Sequence, residues 1–318
     1  MGVRFRISSR QRAEKAPRRA TRLTCTALTR TKFHSGSGRT ARQPIGFSFP
    51  ANWRATSTQA QNDKKMPKAS DSKPLVSCIM PTRDRKDFVL QSLKYFQRQD
   101  YPARELLILD DGHQDLSSYI TVDDQIRYVR MHAGLTTGAK RNYGCQLARG
   151  RIIAQWDDDD WYGPSRLSSQ VEPLIADAAE LTALSDCIFF EISNWKFWRC
   201  SRRVFERMFV GNVHGGTLVF KRSLLERGLQ YPDTSIAEDA FFLYQCNRKG
   251  NRLHKMPDDG MFIYLRHPNS TWQFECGKHI DPREWNQILE PEIPAEDLRF
   301  FHLRSNSNRH VPDSFVAD

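Results

Sequence analysis

Four consecutive carboxylates, residues 157–160, form the most acidic stretch of the sequence. Adjacent carboxylates repel one another, and placing them beside an apolar segment is costly unless a cation neutralises them. Magnesium or manganese fits this need, because either ion can bind one or two carboxylates and complete its shell with water and phosphate oxygens. A solvated loop is the commoner origin of such runs. Trp156 and Trp161 favour the metal, since a solvated loop has little need of large aromatic side chains.

A second acidic pair, Glu238 and Asp239, begins a stretch with helical periodicity that ends at Gly250. Acids in the first turn of a helix commonly interact with the helix macrodipole, which is the commoner explanation for such a pair. If the pair lies in the same crevice as the acidic run, one of its carboxylates is a candidate general base. His267 is a weaker candidate, because a lone histidine is more often structural than a ligand.

Apolar runs alternate with helical patterns in the first half of the chain. Strands are predicted at residues 75–80, 105–109, 126–131 and 150–156. Three helices are predicted from their apolar faces: Val89, Leu93 and Phe96; Ala139, Tyr143 and Leu147; and, behind Pro164, Leu167, Val171, Leu174 and Ile175.

This alternation favours an α/β fold with a largely parallel, doubly wound sheet and helices on both faces. Such sheets bind ligands at the carboxyl ends of their strands. Pro81-Thr82, Asp110-Asp111 and the acidic run all follow predicted strands. The sequence therefore predicts that these three segments converge on one crevice.

The second half of the chain is less regular. Residues 183–191, 217–221 and 261–265 are predicted as strands. The aromatic and basic insert at residues 195–209 is either a platform for an acceptor sugar or a helix that packs its rings into the core. His214-Gly215-Gly216-Thr217 either brings backbone close to a ligand or makes a turn.

Charge is unevenly distributed along the 318 residues. Residues 1–65 hold 15 Lys and Arg against two acids, which leaves a net charge of −2 for residues 66–318. The basic part lacks apolar periodicity, which predicts a disordered tail over residues 1–73. A transit peptide and an arm that binds nucleic acid or anionic lipid are alternatives, but a translation start at Met66 is favoured. The folded part is not predicted to bind nucleic acid.

Several classes of protein lack their sequence signature here. No window approaches 18 consecutive apolar residues, so no transmembrane helix is predicted. The Gly-rich fingerprints of dinucleotide-dependent redox enzymes and of P-loop phosphotransfer are absent. The seven cysteines are dispersed, as a reducing cytosol tolerates.

Five motifs, in order, resemble the family 2 glycosyltransferases, which have the GT-A fold. They are residues 79–85, Leu109-Asp110-Asp111-Gly112, residues 138–142, the acidic run with residues 162–167 behind it, and Glu238-Asp239. The resemblance implies a GT-A domain over residues 74–274, followed by a C-terminal extension over residues 275–318.

The resemblance also implies roles for single residues. Asp111 would accept a hydrogen bond from the base, typically uracil, and the remaining nucleotide-binding candidates are Pro81, Thr82, Asp84, Lys140 and Asp157. Arg83 and Asp84 stand where the family often has an aromatic residue and Asn, which bears on the preferred donor base.

The DxD signature of the family maps onto Asp157-Asp158-Asp159. Asp159 would bind the metal, and Asp157 would lie in the ribose or metal shell. Because Asp160 is also acidic, the register stays open by one residue and Asp160 joins the metal candidates. Asp239, with Glu238 beside it, falls where the family has its catalytic base.

The implied activity is a metal-dependent, inverting transfer from a nucleotide-sugar donor, expected to be a UDP-sugar, to a hydroxyl of a glycan or lipid-linked acceptor. Manganese or magnesium would be the cofactor, and the enzyme would serve polysaccharide biosynthesis in the cytoplasm, with peripheral contact to the inner membrane surface. Two alternatives stay open: a non-catalytic relative that binds a nucleotide sugar or glycan, and a protein that binds nucleic acid or anions through its basic tail. The acidic run together with Glu238-Asp239 favours the enzyme.

Overall fold

The computed structural model describes residues 73–305, so the predicted basic tail lies, apart from Lys73, outside the described residues. The strands are β1 (Val76–Thr82), β2 (Arg104–Asp110), β3 (Ile126–Arg130), β4 (Ile152–Gln155), β5 (Trp161–Tyr162), β6 (Leu181–Ser185), β7 (Ile188–Glu191), β8 (Lys196–Cys200), β9 (Val219–Lys221), β10 (Leu253–Pro257), β11 (Phe262–Arg266) and β12 (Trp285–Ile288). The α-helices are α1 (Lys86–Gln97), α2 (Thr137–Leu147), α3 (Arg166–Ile175), α4 (Arg202–Met208), α5 (Ser223–Glu226), α6 (Glu238–Arg248) and α7 (Ala295–His302).

The larger of two sheets has the strand order β10-β6-β9-β4-β1-β2-β3. Strand β1 pairs in parallel with β2 and β4, β2 pairs in parallel with β3, and β10 in parallel with β6. Strand β9 runs antiparallel to both of its neighbours. The predicted, largely parallel sheet is therefore confirmed.

Helices cover both faces of this sheet, as predicted. Alternate residues of β1 belong to opposite cores, because successive side chains of a strand point to opposite faces. Met80 packs in one core with Val89 of α1 and Leu167 of α3. Ile79 packs in the other core with Cys145 of α2 and Phe242 of α6. Near-continuous apolar runs are the expected pattern for strands buried on both faces.

The predicted single strand over residues 183–191 is wrong. The chain forms β6 and β7 instead, and these belong to different sheets. Asp186 lies between them at φ 56°. Because Asp tolerates this left-handed conformation better than most residues do, the extended run is interrupted there.

The predicted apolar face of α2 is also wrong. Tyr143 is exposed, and the helix instead buries Lys140, Arg141, Gly144 and Cys145. A Cβ added at Gly144 would lie 2.6 Å from the side chains of both Ile79 and Leu109. The helix can therefore lie close to β1 and β2 only along this small and partly charged face.

The smaller sheet has the order β12-β8-β7-β11-β5, and the aromatic insert contributes β8 to it. In β8, Phe197 is buried and stacks on Phe190 at 4.1 Å between ring centroids, while Phe205 of α4 is also buried. These rings pack into the core. Residues after 275, predicted as an extension, contribute β12 to this sheet. Within residues 73–305, no helix is long and apolar enough to cross a bilayer.

Candidate active site

The structure brings the end of β1 next to the acidic loop that follows β4. Thr82 donates from Oγ1 to the Asp158 carboxylate at 2.6 Å. Pro81 is buried one residue earlier and stands opposite Leu109 of β2 in the strand register. Because β1 lies between β2 and β4, all three polar strand ends are at the same edge of the sheet.

Asp111, directly after β2, forms a buried ion pair. Its Oδ1 accepts from Lys140 Nζ at 2.6 Å, and its Oδ2 accepts from the backbone N–H groups of Gly134 and Leu135 at 3.2 and 3.1 Å. Lys140 also donates to the Thr82 carbonyl at 2.9 Å. The Lys140 side chain thus links the ends of β1 and β2, which explains why a helix interior buries a lysine.

Asp84 lies at the outer rim of this edge, at φ 54°. Its carboxylate accepts from the His113 backbone N–H at 2.5 Å and lies 2.8 Å from His113 Nδ1. The backbone hydrogen bond and the neighbouring imidazole lower the pKa of Asp84. The Asp84 side chain is 40% exposed, so it stays accessible beside the end of β1.

The four carboxylates of the acidic loop differ in environment. Asp160 is buried and accepts from the Leu265 backbone N–H of β11 at 3.0 Å, and burial raises its pKa well above the usual range. Asp158 is also buried, chiefly beside Thr82 and Arg85, and burial raises its pKa as well. The side chains of Asp157 and Asp159 retain 24% and 15% exposure. Asp157 and Asp159 are therefore the more exposed carboxylates of the loop.

Asp159 is surrounded by nitrogen donors. Arg85 Nη1 lies 2.7 Å from Asp159 Oδ2 and 2.9 Å from Asp158 Oδ1. His267 Nε2 lies 3.0 Å from Asp159 Oδ2. Burial alone would raise the pKa of Asp159, but the charge of Arg85 and the hydrogen bond with His267 outweigh it and lower that pKa below its usual range.

The sequence indicated His267 only weakly and did not indicate a role for Arg85. His267 follows β11 and reaches Asp159 across more than a hundred residues. Its ring stacks on Phe88 of α1, with ring centroids 4.8 Å apart. The polar segment that follows an apolar strand was the available signal for His267, and the two basic residues beside Asp84 were the signal for Arg85.

Arg141 of α2 connects the acidic loop to the second acidic pair. Its Nη2 lies 2.6 Å from Asp157 Oδ1, and its Nε lies 3.1 Å from Glu238 Oε1 at the start of α6. The guanidinium group is almost completely buried, and its charge interactions with both carboxylates hold its pKa well above the usual range despite burial. Asp157 and Glu238 therefore lie on either side of one buried cation.

Asp239 lies beside Glu238 and is half-buried. Burial, together with the charge of Glu238, raises the pKa of Asp239 to about 7. A Cβ added at Gly215 would lie 2.0 Å from Asp239 Oδ2, and one at Gly216 would lie 2.8 Å from Asp157 Oδ2. The sequence His214-Gly215-Gly216-Thr217 thus brings backbone against the carboxylates of Asp239 and Asp157.

Asp159 and His267 could hold a divalent cation if the ion replaced the contact of Arg85 Nη1 with Asp159 Oδ2. A carboxylate and an imidazole, Asp159 and His267, approach each other closely, and both are ligand types for divalent metals. Residues 73–305 contain no group of three or more His, Cys, Asp or Glu arranged to hold a metal.

The layered α/β sheet with this acidic edge is the GT-A fold. A crystal structure of S. aureus TarS residues 1-349 in complex with UDP-GlcNAc superposes with a TM-score of 0.51 and 16% identity, over 62% of this chain and 60% of that chain. A likeness at this identity establishes the fold alone.

Residues 77–250 match the family model described as Glycosyl transferase family 2, and the chain belongs to this family. Escherichia coli WcaA, provisionally named a colanic acid biosynthesis glycosyl transferase, is 37% identical over 100 residues, which are 30% of this chain and 36% of WcaA. The uncharacterized glycosyltransferase EpsJ of Bacillus subtilis is 28% identical over 235 residues, which are 65% of this chain and 66% of EpsJ. The chain thus spans less than two thirds of either relative.

Proposed function

We propose that this protein is a metal-dependent, inverting glycosyltransferase that moves a sugar from a nucleotide-sugar donor, expected to be a UDP-sugar, to a hydroxyl of a glycan or lipid-linked acceptor. The name of WcaA, which refers to colanic acid biosynthesis, supports a role in polysaccharide biosynthesis. One observation carries the proposal: Arg141 binds Asp157 and Glu238 together, so the acidic loop and the second acidic pair line one crevice.

In this proposal Asp239 is the general base. Its carboxylate takes the proton of the acceptor hydroxyl as the oxygen attacks the anomeric carbon from the face opposite the leaving diphosphate, which inverts the configuration. A pKa of about 7 leaves a large share of Asp239 ionised at neutral pH and makes it a stronger base than an ordinary carboxylate. Glu238 holds Arg141, which in turn holds Asp157 at the donor side.

Asp159 and His267 would hold manganese or magnesium, with Asp157 close to the ion or the ribose. A bound ion would neutralise the charge that develops on the diphosphate as the sugar–phosphate bond breaks. Asp160 is left out of this ligand set, because its carboxylate is buried against the backbone of β11. Peripheral contact with a membrane surface remains part of the proposal for a lipid-linked acceptor.

Asp111 and Lys140 would form the floor of the nucleoside site, with Pro81 and Thr82 beside them. The ion pair at 2.6 Å and two backbone N–H groups already occupy Asp111, so its contact with a base would share these partners. Asp84 is the more accessible carboxylate at this edge and is the second candidate for base recognition.

The first experiment follows release of nucleoside diphosphate from UDP-, dTDP- and GDP-sugars with manganese, with magnesium and with a chelator. Many transferases slowly hydrolyse their donor, so no acceptor needs to be known. We expect metal-dependent release of nucleoside diphosphate from one donor. Early NMR spectra should show the free sugar in the anomeric configuration opposite to that of the donor. If no donor reacts and no nucleotide binds in the presence of manganese, the proposal fails.

Asp239→Asn tests the assignment of the base. We expect the rate to fall by ~10²–10⁴-fold, because that is the usual contribution of general base catalysis, while nucleotide binding is retained. The matched control is Asp259→Asn, an exposed carboxylate outside the crevice, which should leave the rate unchanged. A near wild-type rate in Asp239→Asn would remove Asp239 from the mechanism.

A further inference from the structure

We propose that helix α7 positions His267 for metal binding, so that a helix beyond the family match supports the proposed metal site. The inference rests on the proposed function, since it concerns His267 and Asp159 as the metal-holding pair. Two separate sets of contacts carry it. One reaches His267 through Phe88, and the other reaches the acidic loop through Trp161.

The first set is aromatic. Phe88 of α1 stacks on the His267 ring at 4.8 Å with an interplanar angle of 24°, and Phe300 of α7 meets Phe88 edge-on at 5.7 Å. Arg304, just after α7, lies with Cζ 3.8 Å from the Phe300 centroid and pairs with Asp87 of α1 at 2.8 Å. We call Phe88, Phe300 and Arg304 the C-terminal clamp.

The second set is polar. Asp297 of α7 is completely buried and accepts from Trp161 Nε1 at 2.8 Å. It also accepts from Gln91 and Arg98 of α1 at 2.7 and 2.6 Å. Trp161 stands two residues after Asp159, so one carboxylate ties α7 both to α1 and to the end of the acidic loop.

These contacts constrain both members of the Asp159–His267 pair. Rotation of the imidazole away from Asp159 would break its stack on Phe88, and the edge-on contact with Phe300 restrains Phe88 in turn. Residues that orient a metal ligand raise metal affinity because the ligand loses less freedom when the ion binds. Phe88 and Phe300 are therefore positioning residues, since neither would touch the ion.

The test measures manganese binding directly. Manganese is titrated into the full chain with UDP, and in a second series with GDP, and free ion is counted by its EPR signal. We expect Phe300→Ala to weaken manganese binding by about 10-fold, the lower end for loss of an orienting contact. Phe88→Leu should have the same effect, whereas Phe88→Tyr keeps an aromatic face on His267 and should bind as wild type.

Leu298→Ala is the matched control, because it removes a buried side chain of the same helix outside the clamp. Thermal unfolding of Phe300→Ala and Leu298→Ala shows how much each substitution destabilises the fold. The inference requires weaker manganese binding in Phe300→Ala but not in an equally destabilised Leu298→Ala. Equal binding in the two variants would overturn it.

His267→Ala separates this inference from the proposed function. If His267→Ala weakens manganese binding and Phe300→Ala does not, the metal site stands and the positioning role of α7 is wrong. If His267→Ala binds as wild type, or the wild-type chain binds no manganese with either nucleotide, both the metal assignment and the inference fail.

Discussion

Asp239 is the side chain on which the proposed chemistry depends most directly. Burial and the adjacent Glu238 raise its pKa to about 7. A base must be ionised to accept a proton, so the protonated form that predominates below this pKa is inactive. We expect the transfer rate to rise as the pH increases through about 7 and to level off above it.

This pH dependence is measured as the rate under saturating donor between about pH 5 and 9, where ordinary carboxylates are already ionised. The residual rate of Asp239→Asn is the control, because it lacks the titrating group. A wild-type profile that is flat across this range, or a rise that persists in Asp239→Asn, would contradict the assignment.

Arg141 is the buried cation between two carboxylates of the crevice. Removing it in Arg141→Ala leaves Asp157 and Glu238 without their shared partner, and the uncompensated charge destabilises the fold. We expect a loss of about 3–5 kcal/mol in the free energy of unfolding, measured in urea, as for one broken partner of a buried ion pair.

The control for Arg141 is Arg202→Ala. Arg202 is 85% exposed and pairs with Glu206 on the surface of α4 at 2.8 Å. Such pairs contribute about 0–1 kcal/mol. If Arg141→Ala and Arg202→Ala lowered the free energy of unfolding by the same small amount, the link between the acidic loop and α6 would not stabilise the fold.

The turn before β9 makes a testable distinction between two adjacent glycines. A Cβ at residue 215 would collide with Asp239, whereas one at residue 216 would approach Asp157. We therefore expect Gly215→Ala to lower the transfer rate more than nucleotide binding, and Gly216→Ala to weaken binding of nucleotide with manganese. Isothermal titration and initial rates measure the two effects, and the same pattern in both variants would contradict this division of roles.

Elements with purely local signals were predictable. Strands β1 and β2 are continuous apolar runs, and α1 and α3 show their apolar periodicity directly, except that Ile175 of the predicted α3 face is exposed. The buried face of α2 was not predictable from the sequence, because Lys140 and Arg141 are buried against partners that lie 29 and 97 residues away in the chain. Strand β5 spans two residues and is too short for periodicity.

The candidate site divides in the same way. Asp111, Asp159 and Asp239 follow a strand or begin a helix, so their placement could be inferred from the order of elements. The contacts of Arg85 and His267 with Asp159 depend on the folded chain, since each spans 74 residues or more. The burial of Asp160 could not be predicted from the sequence either, because its hydrogen-bond partner is a backbone group of β11.

The distribution of charge and the extent of the fold concern the entire chain. The net charge of +11 arises from residues 1–65, and residues 66–318 are close to neutral. The family match ends at residue 250, yet β11, β12 and α7 follow it and pack with elements inside the match. The fold is therefore not complete at the end of the family match, and its stability should depend on α7.

Asp297 tests that dependence. Its buried carboxylate accepts from Trp161, Arg98 and Gln91, so Asp297→Ala leaves buried donors unpaired. We expect the free energy of unfolding to fall by about 2–3 kcal/mol, since hydrogen bonds to charged groups contribute at this level and Arg98 keeps some contact with solvent. Urea denaturation of the full chain measures the loss.

The neighbouring residue offers the control for this prediction. Glu296 also pairs with Arg98, at 3.1 Å, but its side chain is 60% exposed. Glu296→Ala should therefore cost no more than about 1 kcal/mol, as surface ion pairs do. Because both residues belong to the first turn of α7, a difference between them reports burial and not helix propensity. Equal losses in the two variants would mean that α7 is held by its apolar contacts alone.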